Sequence, residues 1–249
     1  MSVTRGTRGV TATGDVRDDV GVTRIVAGTA GGRRLAVPAR GTRPTSERVR
    51  EALFSALEAA HDLAGARVVD LYAGSGALGF EALSRGAANV AFVESDRRAV
   101  DVLRRNAAEL GLAGTEIRQG SVESVLAVPP QRPYDVVLAD PPYAVTEQAV
   151  GRVLALLAVN GWTEQGSVLV IERGSRGADP QWPPPFAPLR VRRYGDTVLH
   201  WAVHVPDEPT GTAGGASAEH GGGYDAVNSA TSDLAGSYAC AQDCYGPGT

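Results

Sequence analysis

The residues best suited to chemistry are Asp140-Pro141-Pro142-Tyr143, which directly follow the apolar run Val136–Ala139. Two prolines after a buried strand cannot continue its hydrogen-bond ladder, and they keep the backbone stiff and extended. The Asp140 carboxylate and the Pro141 carbonyl then become fixed acceptors, while Tyr143 offers a flat ring. The exocyclic amine of a nucleobase fits this arrangement, because the acceptors bind its N–H groups while the ring stacks on the base. The alternative is a Pro-Pro turn that merely ends a strand, and the motifs that precede it favour the functional interpretation.

A second group of candidates surrounds a glycine-rich turn earlier in the chain. The run from Val68 to Gly79 reads VVDLYAGSGALG, an apolar strand followed by glycines in G-x-G-x-x-G spacing. This spacing lets the backbone approach a bound nucleotide near the N-terminus of the following helix. The predicted cofactor-binding residues here are Asp70, Tyr72, Ala73, Gly74, Ser75 and Gly76. Because dinucleotide-binding enzymes carry the same glycines, the turn by itself does not identify the cofactor.

An acid, Glu94, ends the next apolar run, and Ser95 follows it. A carboxylate at this position can accept hydrogen bonds from both ribose hydroxyls of a nucleoside cofactor. NAD and S-adenosyl-L-methionine both contain such a ribose, so Glu94 and Ser95 extend the cofactor site without choosing between the two. The alternative role for Glu94 is an acid that the dipole of the next helix stabilises. The motif at Asp140 is what favours methyl transfer over hydride transfer.

These residues follow strands in an alternating pattern of strands and helices. We predict strands at Arg67–Leu71, Asn89–Val93, Glu116–Arg118, Tyr134–Ala139 and Ser167–Ile171, and helices at Ala77–Arg85, Arg97–Leu110, Val122–Leu126 and Thr146–Leu157. Such alternation with short loops implies an α/β fold with a doubly wound, mostly parallel, Rossmann-like sheet. Ligands bind beyond the carboxyl ends of its strands, where the three motifs would meet. A late hairpin, Arg190–Tyr194 with Thr197–His204, could supply the last two strands.

A basic segment precedes this domain. Residues 24–50 contain seven Arg and a single acid. The part from Arg24 to Val37 predicts a β-hairpin around a glycine turn, with Arg24-Ile-Val-Ala as its first strand, and a helix follows with Arg48 and Arg50 off its apolar face. We predict phosphate contacts from Arg24, Arg33, Arg34, Arg43 and Arg48. A solvated hairpin face is the alternative, but the position just before a nucleotide-cofactor domain favours RNA.

Taken together, these motifs resemble a known family. Asp-Pro-Pro-Tyr resembles motif IV of amino-methylating, S-adenosylmethionine-dependent methyltransferases, and Asp70–Gly79 resembles their motif I. The basic opening and Tyr194-Gly195-Asp196-Thr197 are similar to the RsmD family of bacterial small-subunit rRNA guanine-N2 methyltransferases, over about residues 24–204. The resemblance implies a class I methyltransferase with a seven-stranded sheet, an RNA-contacting N-terminal hairpin, S-adenosyl-L-methionine as cofactor and a guanine of 16S rRNA as target.

One departure from the family pattern concerns the adenine of the cofactor. The family often has an acid after the third strand, whereas this chain has Gln119-Gly-Ser-Val122. Ser121 and Val122 are therefore the predicted contacts, through a hydroxyl and backbone N–H groups. The mechanism we expect is direct in-line transfer, in which Asp140 and Pro141 hold the guanine N2 amine and Tyr143 stacks on the base. No metal is expected, because a sulfonium donor is already activated.

Three other functions remain open. An adenine-N6 methyltransferase of DNA or RNA would share Asp-Pro-Pro-Tyr, and only the basic opening argues against it. A nicotinamide-dependent oxidoreductase would explain the glycines and Glu94 but not the motif at Asp140. A non-catalytic RNA-binding scaffold would need a broken site, and this one looks intact.

Composition sets the remaining expectations. The 249 residues carry 43% hydrophobic and 21% charged side chains and a net charge of −4, which is ordinary for a globular protein. We predict a disordered leader (1–22), a basic extension (23–62), a methyltransferase domain (63–205) and a disordered acidic tail (206–249) that holds both cysteines. Two cysteines are too few for a zinc site. Without a signal-peptide-like or membrane-spanning run, we expect a cytoplasmic monomer whose partner is rRNA or the small ribosomal subunit.

Overall fold

The computed structural model describes residues 21–38 and 46–206. The leader and the acidic tail predicted from sequence fall almost wholly outside these residues, as does Arg43. The strands are β1 (Gly21–Arg24), β2 (Arg34–Val37), β3 (Arg67–Leu71), β4 (Asn89–Glu94), β5 (Thr115–Gln119), β6 (Val136–Ala139), β7 (Val168–Gly174), β8 (Phe186–Tyr194) and β9 (Thr197–His204). The helices are α1 (Glu47–Ala60), α2 (Ala77–Ser84), α3 (Arg97–Leu110), α4 (Val122–Leu126) and α5 (Glu147–Val159). None of the described helices is long and apolar enough to cross a membrane.

A seven-stranded sheet forms the centre of the protein, in the order β5-β4-β3-β6-β7-β9-β8. Strands β3 to β7 are parallel, and β9 runs antiparallel to both β7 and β8. One face of the sheet packs against α1, α2 and α3, and the other packs against α4 and α5. Burial on both faces explains why β6 is a continuous apolar run. The predicted doubly wound fold is confirmed.

Strand β7 continues beyond its predicted end at Ile171. Residues Glu172, Arg173 and Gly174 pair with Leu199, Val198 and Thr197 of β9. The antiparallel neighbour supplies hydrogen-bond partners past the apolar run, so the polar side chains do not end the strand. This extension carries β7 to the edge of the sheet where the candidate site lies.

The first strand of the N-terminal hairpin lies earlier in the sequence than predicted. It ends at Arg24, where the sequence predicted it to begin. Ile25 turns into the core and is 1% exposed, and its N–H donates to the Arg33 carbonyl at 3.0 Å. Gly28 then lies directly on α2, since a Cβ there would be 2.0 Å from the Ser84 carbonyl oxygen. The segment after Arg24 is thus a docking loop, because its backbone must approach α2 more closely than a strand with side chains allows.

Polar contacts join this hairpin to the rest of the fold. The buried Glu81 carboxylate on α2 accepts hydrogen bonds from the N–H groups of Val26 (2.7 Å) and Ala27 (3.0 Å). The buried Asn106 side chain on α3 accepts from the Ala36 N–H and donates to the Ala36 carbonyl, each at 2.9 Å. Apolar residues of the hairpin, α1 and the sheet form one hydrophobic cluster. The two segments that the sequence divided at residues 62 and 63 therefore share a core.

Candidate active site

The glycine turn between β3 and α2 shows two distinct uses of glycine. Gly76 has φ 81° at the start of α2, and a Cβ on it would be 2.4 Å from the Leu103 side chain. Gly79 has no room either, since a Cβ would be 2.3 Å from the Phe92 ring. Gly74 is different: with φ 55°, its Cβ would meet nothing closer than the Tyr72 carbonyl oxygen at 3.9 Å. The turn is thus packed tightly against Leu103 and Phe92 at Gly76 and Gly79, and it leaves open space in front of Gly74.

Asp70 supports this turn from inside the protein. It is 1% exposed, and its Oδ2 accepts a hydrogen bond from the Gly79 N–H at 2.9 Å. Burial raises the pKa of the Asp70 carboxyl to about 7. The sequence predicted a cofactor contact for this residue. In the structure its carboxylate holds the first turn of α2.

Tyr72 begins the turn with φ 62°, a conformation that no other non-glycine residue among those described adopts. Such backbone outliers in non-glycine residues cluster at functional sites. Its ring is half-buried, and burial raises the pKa of the Tyr72 hydroxyl to about 12. The next residues, Ala73 and Ser75, are buried, and the Ser75 carbonyl accepts a hydrogen bond from Asn106 Nδ2 at 2.9 Å. Asn106 therefore contacts the N-terminal hairpin and the glycine turn at once.

Glu94 lies beside the turn at the end of β4. Its Oε2 accepts from the Gly74 N–H at 2.8 Å and its Oε1 accepts from the Asp96 N–H at 2.7 Å. A carboxylate offers about four lone-pair positions, so these two bonds leave acceptors for further donors. Glu94 is half-buried and Ser95 is exposed. These remaining acceptors suit the O–H groups of a ribose.

The residues predicted to meet adenine lie next to Glu94. The Gly120 N–H donates to the Glu94 carbonyl at 2.9 Å, which brings the end of β5 alongside β4. The Ser121 hydroxyl oxygen accepts from the Ser124 N–H at 3.1 Å and caps α4. Ser121 is exposed and Val122 is buried. The Ser121 hydroxyl is therefore already engaged as a helix cap.

The segment from Asp140 to Thr146, here called the catalytic loop, leaves the neighbouring strand β6. The Asp140 N–H donates to the Leu71 carbonyl at 3.5 Å, and the Asp140 side chain is half-buried. Pro141 is buried, whereas Pro142 is exposed and its carbonyl accepts the Val145 N–H at 2.8 Å. The Tyr143 side chain is 76% exposed, so its ring is available for stacking.

Two residues at the end of β7 hold this loop, and neither was predicted from the sequence. Arg173 Nη2 donates to the Val145 carbonyl at 3.2 Å and to Glu147 Oε1 at 2.5 Å. Gly174 lies against the ring of Tyr143, because a Cβ at Gly174 would be 2.8 Å from Tyr143 Cε1. Nothing in the local spacing signals these roles, since the partners of Arg173 are 28 and 26 residues away.

The basic N-terminal segment is less available to a ligand than its charge suggested. Arg33 donates through Nη1 to the Leu110 carbonyl at 2.7 Å and through Nη2 to the Glu109 carbonyl, so it caps the C-terminus of α3. Arg24 forms an exposed ion pair with Glu47 at 3.0 Å. Arg34 and Arg48 are exposed.

Arg50 corrects a prediction of the sequence analysis. It was expected off the apolar face of α1, yet it is 0% exposed. Both of its Nη atoms donate to Thr23 Oγ1 at 3.2 Å, and Nη2 also donates to the Arg24 carbonyl. Burial lowers the pKa of the Arg50 guanidinium. Its polar head joins α1 to the end of β1, and that contact takes it away from any ligand.

The three motifs meet at one edge of the sheet. In the parallel register Leu71 pairs with both Val93 and Ala139, so the glycine turn, Glu94 and Asp140 follow the carboxyl ends of adjacent strands. Among the described residues, no three His, Cys, Asp or Glu side chains group as a metal site. The strand order, the antiparallel β9, the glycine turn and the Asp-Pro-Pro-Tyr loop together define a class I, S-adenosylmethionine-dependent methyltransferase.

Comparison with known proteins identifies the family within this class. Residues 23–203 match the family described as Conserved hypothetical protein 95. Ribosomal RNA small subunit methyltransferase D of Escherichia coli is 38% identical over 155 residues, 61% of this chain and 75% of that protein. The Haemophilus influenzae protein of the same name is 37% identical over 158 residues, 61% of this chain and 79% of that protein. The chain belongs to this family, the RsmD family.

A solved structure agrees with that assignment. The protein yhhF of Escherichia coli has a TM-score of 0.67 and 33% sequence identity, covering 74% of this chain and 99% of its own. Its coverage extends over nearly the whole neighbour. The resemblance found from the motifs alone is confirmed.

Proposed function

We propose that this protein transfers a methyl group from S-adenosyl-L-methionine to the exocyclic N2 amine of a guanine in small-subunit rRNA, and so acts in the cytoplasm. The observation that carries the proposal is the Asp140–Tyr143 motif. It follows β6, the strand next to the one that leads into the glycine turn, and the ring of Tyr143 is exposed. The names of the family members at 37–38% identity support rRNA as the substrate.

The residues around the turn fit the cofactor. The open space in front of Gly74 would admit the part of the cofactor that lies against the protein backbone. The remaining acceptors of Glu94 would bind the ribose hydroxyls. Backbone groups near Ser121 and Val122 would border the adenine. The cofactor supplies a methyl group that is already activated as a sulfonium, so no metal is needed.

The protein's own part in the reaction is to bind and orient the base. The target guanine leaves its stack, places its ring on Tyr143 and donates its N2–H groups to the Asp140 carboxylate and the Pro141 carbonyl. The N2 lone pair would then point at the methyl carbon. As the N–C bond forms, the S–C bond would break with its electron pair going to sulfur, and the methylated amine would afterwards release one proton to solvent. Because a carboxylate is too weak a base to deprotonate this amine beforehand, Asp140 acts by orientation.

The test uses labelled S-adenosyl-L-methionine and small-subunit particles from a strain that lacks this gene, followed by nucleoside analysis. Label in N2-methylguanosine is the expected result. Label in N6-methyladenosine would replace the proposed target with the adenine-N6 alternative, and bound cofactor without label would favour a scaffold.

Replacement of the orienting carboxylate provides a second test. Asp140→Ala should abolish methyl transfer while calorimetry still detects cofactor binding, because Asp140 faces the target base in this proposal. Equal loss of transfer and cofactor binding would instead assign Asp140 to the cofactor site.

A further inference from the structure

Three of the N-terminal arginines are already engaged in contacts within the fold, whereas Arg34 and Arg48 are exposed. Arg33 caps the C-terminus of α3, Arg50 is buried, and Arg24 is paired with Glu47. A polyanion that presents a base to Asp140 still needs positive charge around that edge of the sheet, since phosphate contacts supply most of the affinity for nucleic acid.

Three exposed arginines lie at this edge of the sheet, after β7 and on β8. They are therefore on the side of β7 that faces away from β6 and the catalytic loop. Arg192 and Arg193 are near the end of β8, and Arg176 is in the loop that follows β7. All three side chains are exposed, and none of them has a hydrogen-bond or ion-pair partner within residues 21–38 and 46–206. Their guanidinium groups therefore keep their donors for a ligand, and a guanidinium is well shaped for bidentate phosphate binding.

The sheet register places these arginines at the height of the catalytic loop. Arg192 pairs with Leu199, which pairs with Glu172, the residue after Ile171. Ile171 pairs with Ala139, so Asp140 and Arg192 are at the same level, three strand spacings apart. At about 4.8 Å per spacing, their Cα atoms are roughly 14 Å apart, a distance that a few nucleotides and one extended Arg side chain can span.

The two strand arginines project on opposite faces of the sheet. Residues paired across antiparallel strands share a face, so Arg192 lies on the side of Leu199 and Arg193 on the side of Val198. Three acids are nearby: Glu172, on the face of Arg192, accepts a hydrogen bond from Thr197 Oγ1 at 3.3 Å, Asp196 is in the β8–β9 turn, and Asp179 is 3.9 Å from His200. Charged side chains on an edge strand also prevent strand pairing with other molecules. That role does not account for Arg176, which lies off the strand.

We propose that Arg176, Arg192 and Arg193 form a binding surface for the sugar-phosphate backbone of the RNA beside the catalytic loop. The proposal rests on the proposed function, because it takes RNA as the substrate. The surface binds phosphates without reading bases and holds the strand whose guanine turns toward Tyr143.

The experiment measures binding of in-vitro-transcribed small-subunit rRNA by filter retention at a series of salt concentrations. The double variant Arg192→Ala, Arg193→Ala should bind more weakly. The negative slope of log affinity against log salt should become shallower by about 1.4, at about 0.7 per lost single-strand phosphate contact. The matched control is Arg132→Ala. Arg132 is also exposed, but it precedes β6 at the opposite edge of the sheet, so its replacement should leave the slope unchanged.

The outcomes separate this surface from the reaction itself. A wild-type slope in the double variant, from an enzyme that does form N2-methylguanosine, overturns the surface and leaves the reaction standing. A reduced slope from an enzyme that forms no N2-methylguanosine keeps the surface and overturns the reaction. Should the double variant fail to fold by circular dichroism, Arg176→Ala in the loop gives the same test, with an expected fall of about 0.7.

Discussion

Replacing Gly174 with Ala should separate activity from stability, because the change acts on a single aromatic ring. The backbone of Gly174 is outside the left-handed region, so alanine adopts it without strain. The new Cβ would lie 2.8 Å from Tyr143 Cε1 and 3.4 Å from Cδ1. Carbon atoms in contact are about 3.5–4.0 Å apart, so the ring must move by about 1 Å.

This displacement has a calculable consequence for each property. Tyr143 is 76% exposed, and its ring can move without opening a cavity. The unfolded chain loses conformational freedom, so the free energy of unfolding should rise by about 0.4–1 kcal/mol. A misplacement of about 1 Å in a positioning group can cost about 100-fold in rate. We therefore expect kcat/KM for the RNA to fall by about 10- to 100-fold.

The assay compares Gly174→Ala with Gly151→Ala. Gly151 is in α5, and a Cβ there would meet nothing within 4 Å. This control should be more stable by roughly 0.8–1 kcal/mol and should keep wild-type activity. Urea denaturation reports stability, and single-turnover methylation of small-subunit particles reports the rate.

A double-mutant cycle with Tyr143→Ala tests whether the effect passes through the ring. If it does, Gly174→Ala costs no further activity once the ring is absent. Wild-type activity in Gly174→Ala, or an additive loss in the double variant, would refute the idea that β7 sets the position of Tyr143 for catalysis.

Two further predictions concern the support of the glycine turn. The pKa of Asp70 is raised to about 7 in the folded protein. Between about pH 4 and about pH 7 the folded state therefore keeps a proton that the unfolded chain releases. The stability that Asp70 contributes at low pH is lost progressively as the pH rises to about 7. Urea denaturation should therefore show that the wild type loses more free energy of unfolding than Asp70→Asn when the pH rises from 4.5 to 7.5. An equal change in the two proteins would contradict the raised pKa. Asn106→Ala should lower the free energy of unfolding by about 2–3 kcal/mol and weaken cofactor binding, because the buried Ser75 carbonyl and the partly buried N–H and carbonyl of Ala36 lose their partner. Calorimetry that finds wild-type cofactor affinity would show that the turn does not depend on this side chain.

The fold and the two motifs could be predicted because their signals are local. A strand buried on both faces requires a continuous apolar run, and such runs located β3 and β6 to within two residues. Glycine spacing and Asp-Pro-Pro-Tyr are equally local, since each set of side chains is carried by one strand and the turn after it. The strand order then brings the motifs together without further information.

The fate of the arginines could not be predicted in this way. An Arg side chain has an apolar stem and a polar head, so the same residue can cap a helix, lie buried or face solvent. Arg33 finds its acceptors 77 and 76 residues away, and Arg50 finds Thr23 on a strand that precedes it. A cluster of charge in the sequence is therefore a poor guide to a binding surface until the tertiary partners are known.

The hydrogen bonds between Asn106 and Ala36 also bear on how the chain folds during synthesis. The two residues are 70 positions apart, and a ribosome that adds about 5–20 residues per second needs about 4–14 s to separate them. A two-stranded hairpin is marginally stable alone, so Ile25 and Leu35 have no lasting cover during that interval. The hairpin must therefore wait for α2 and α3 before it can pack. Any chaperone that meets this nascent chain would find exposed apolar residues in the hairpin.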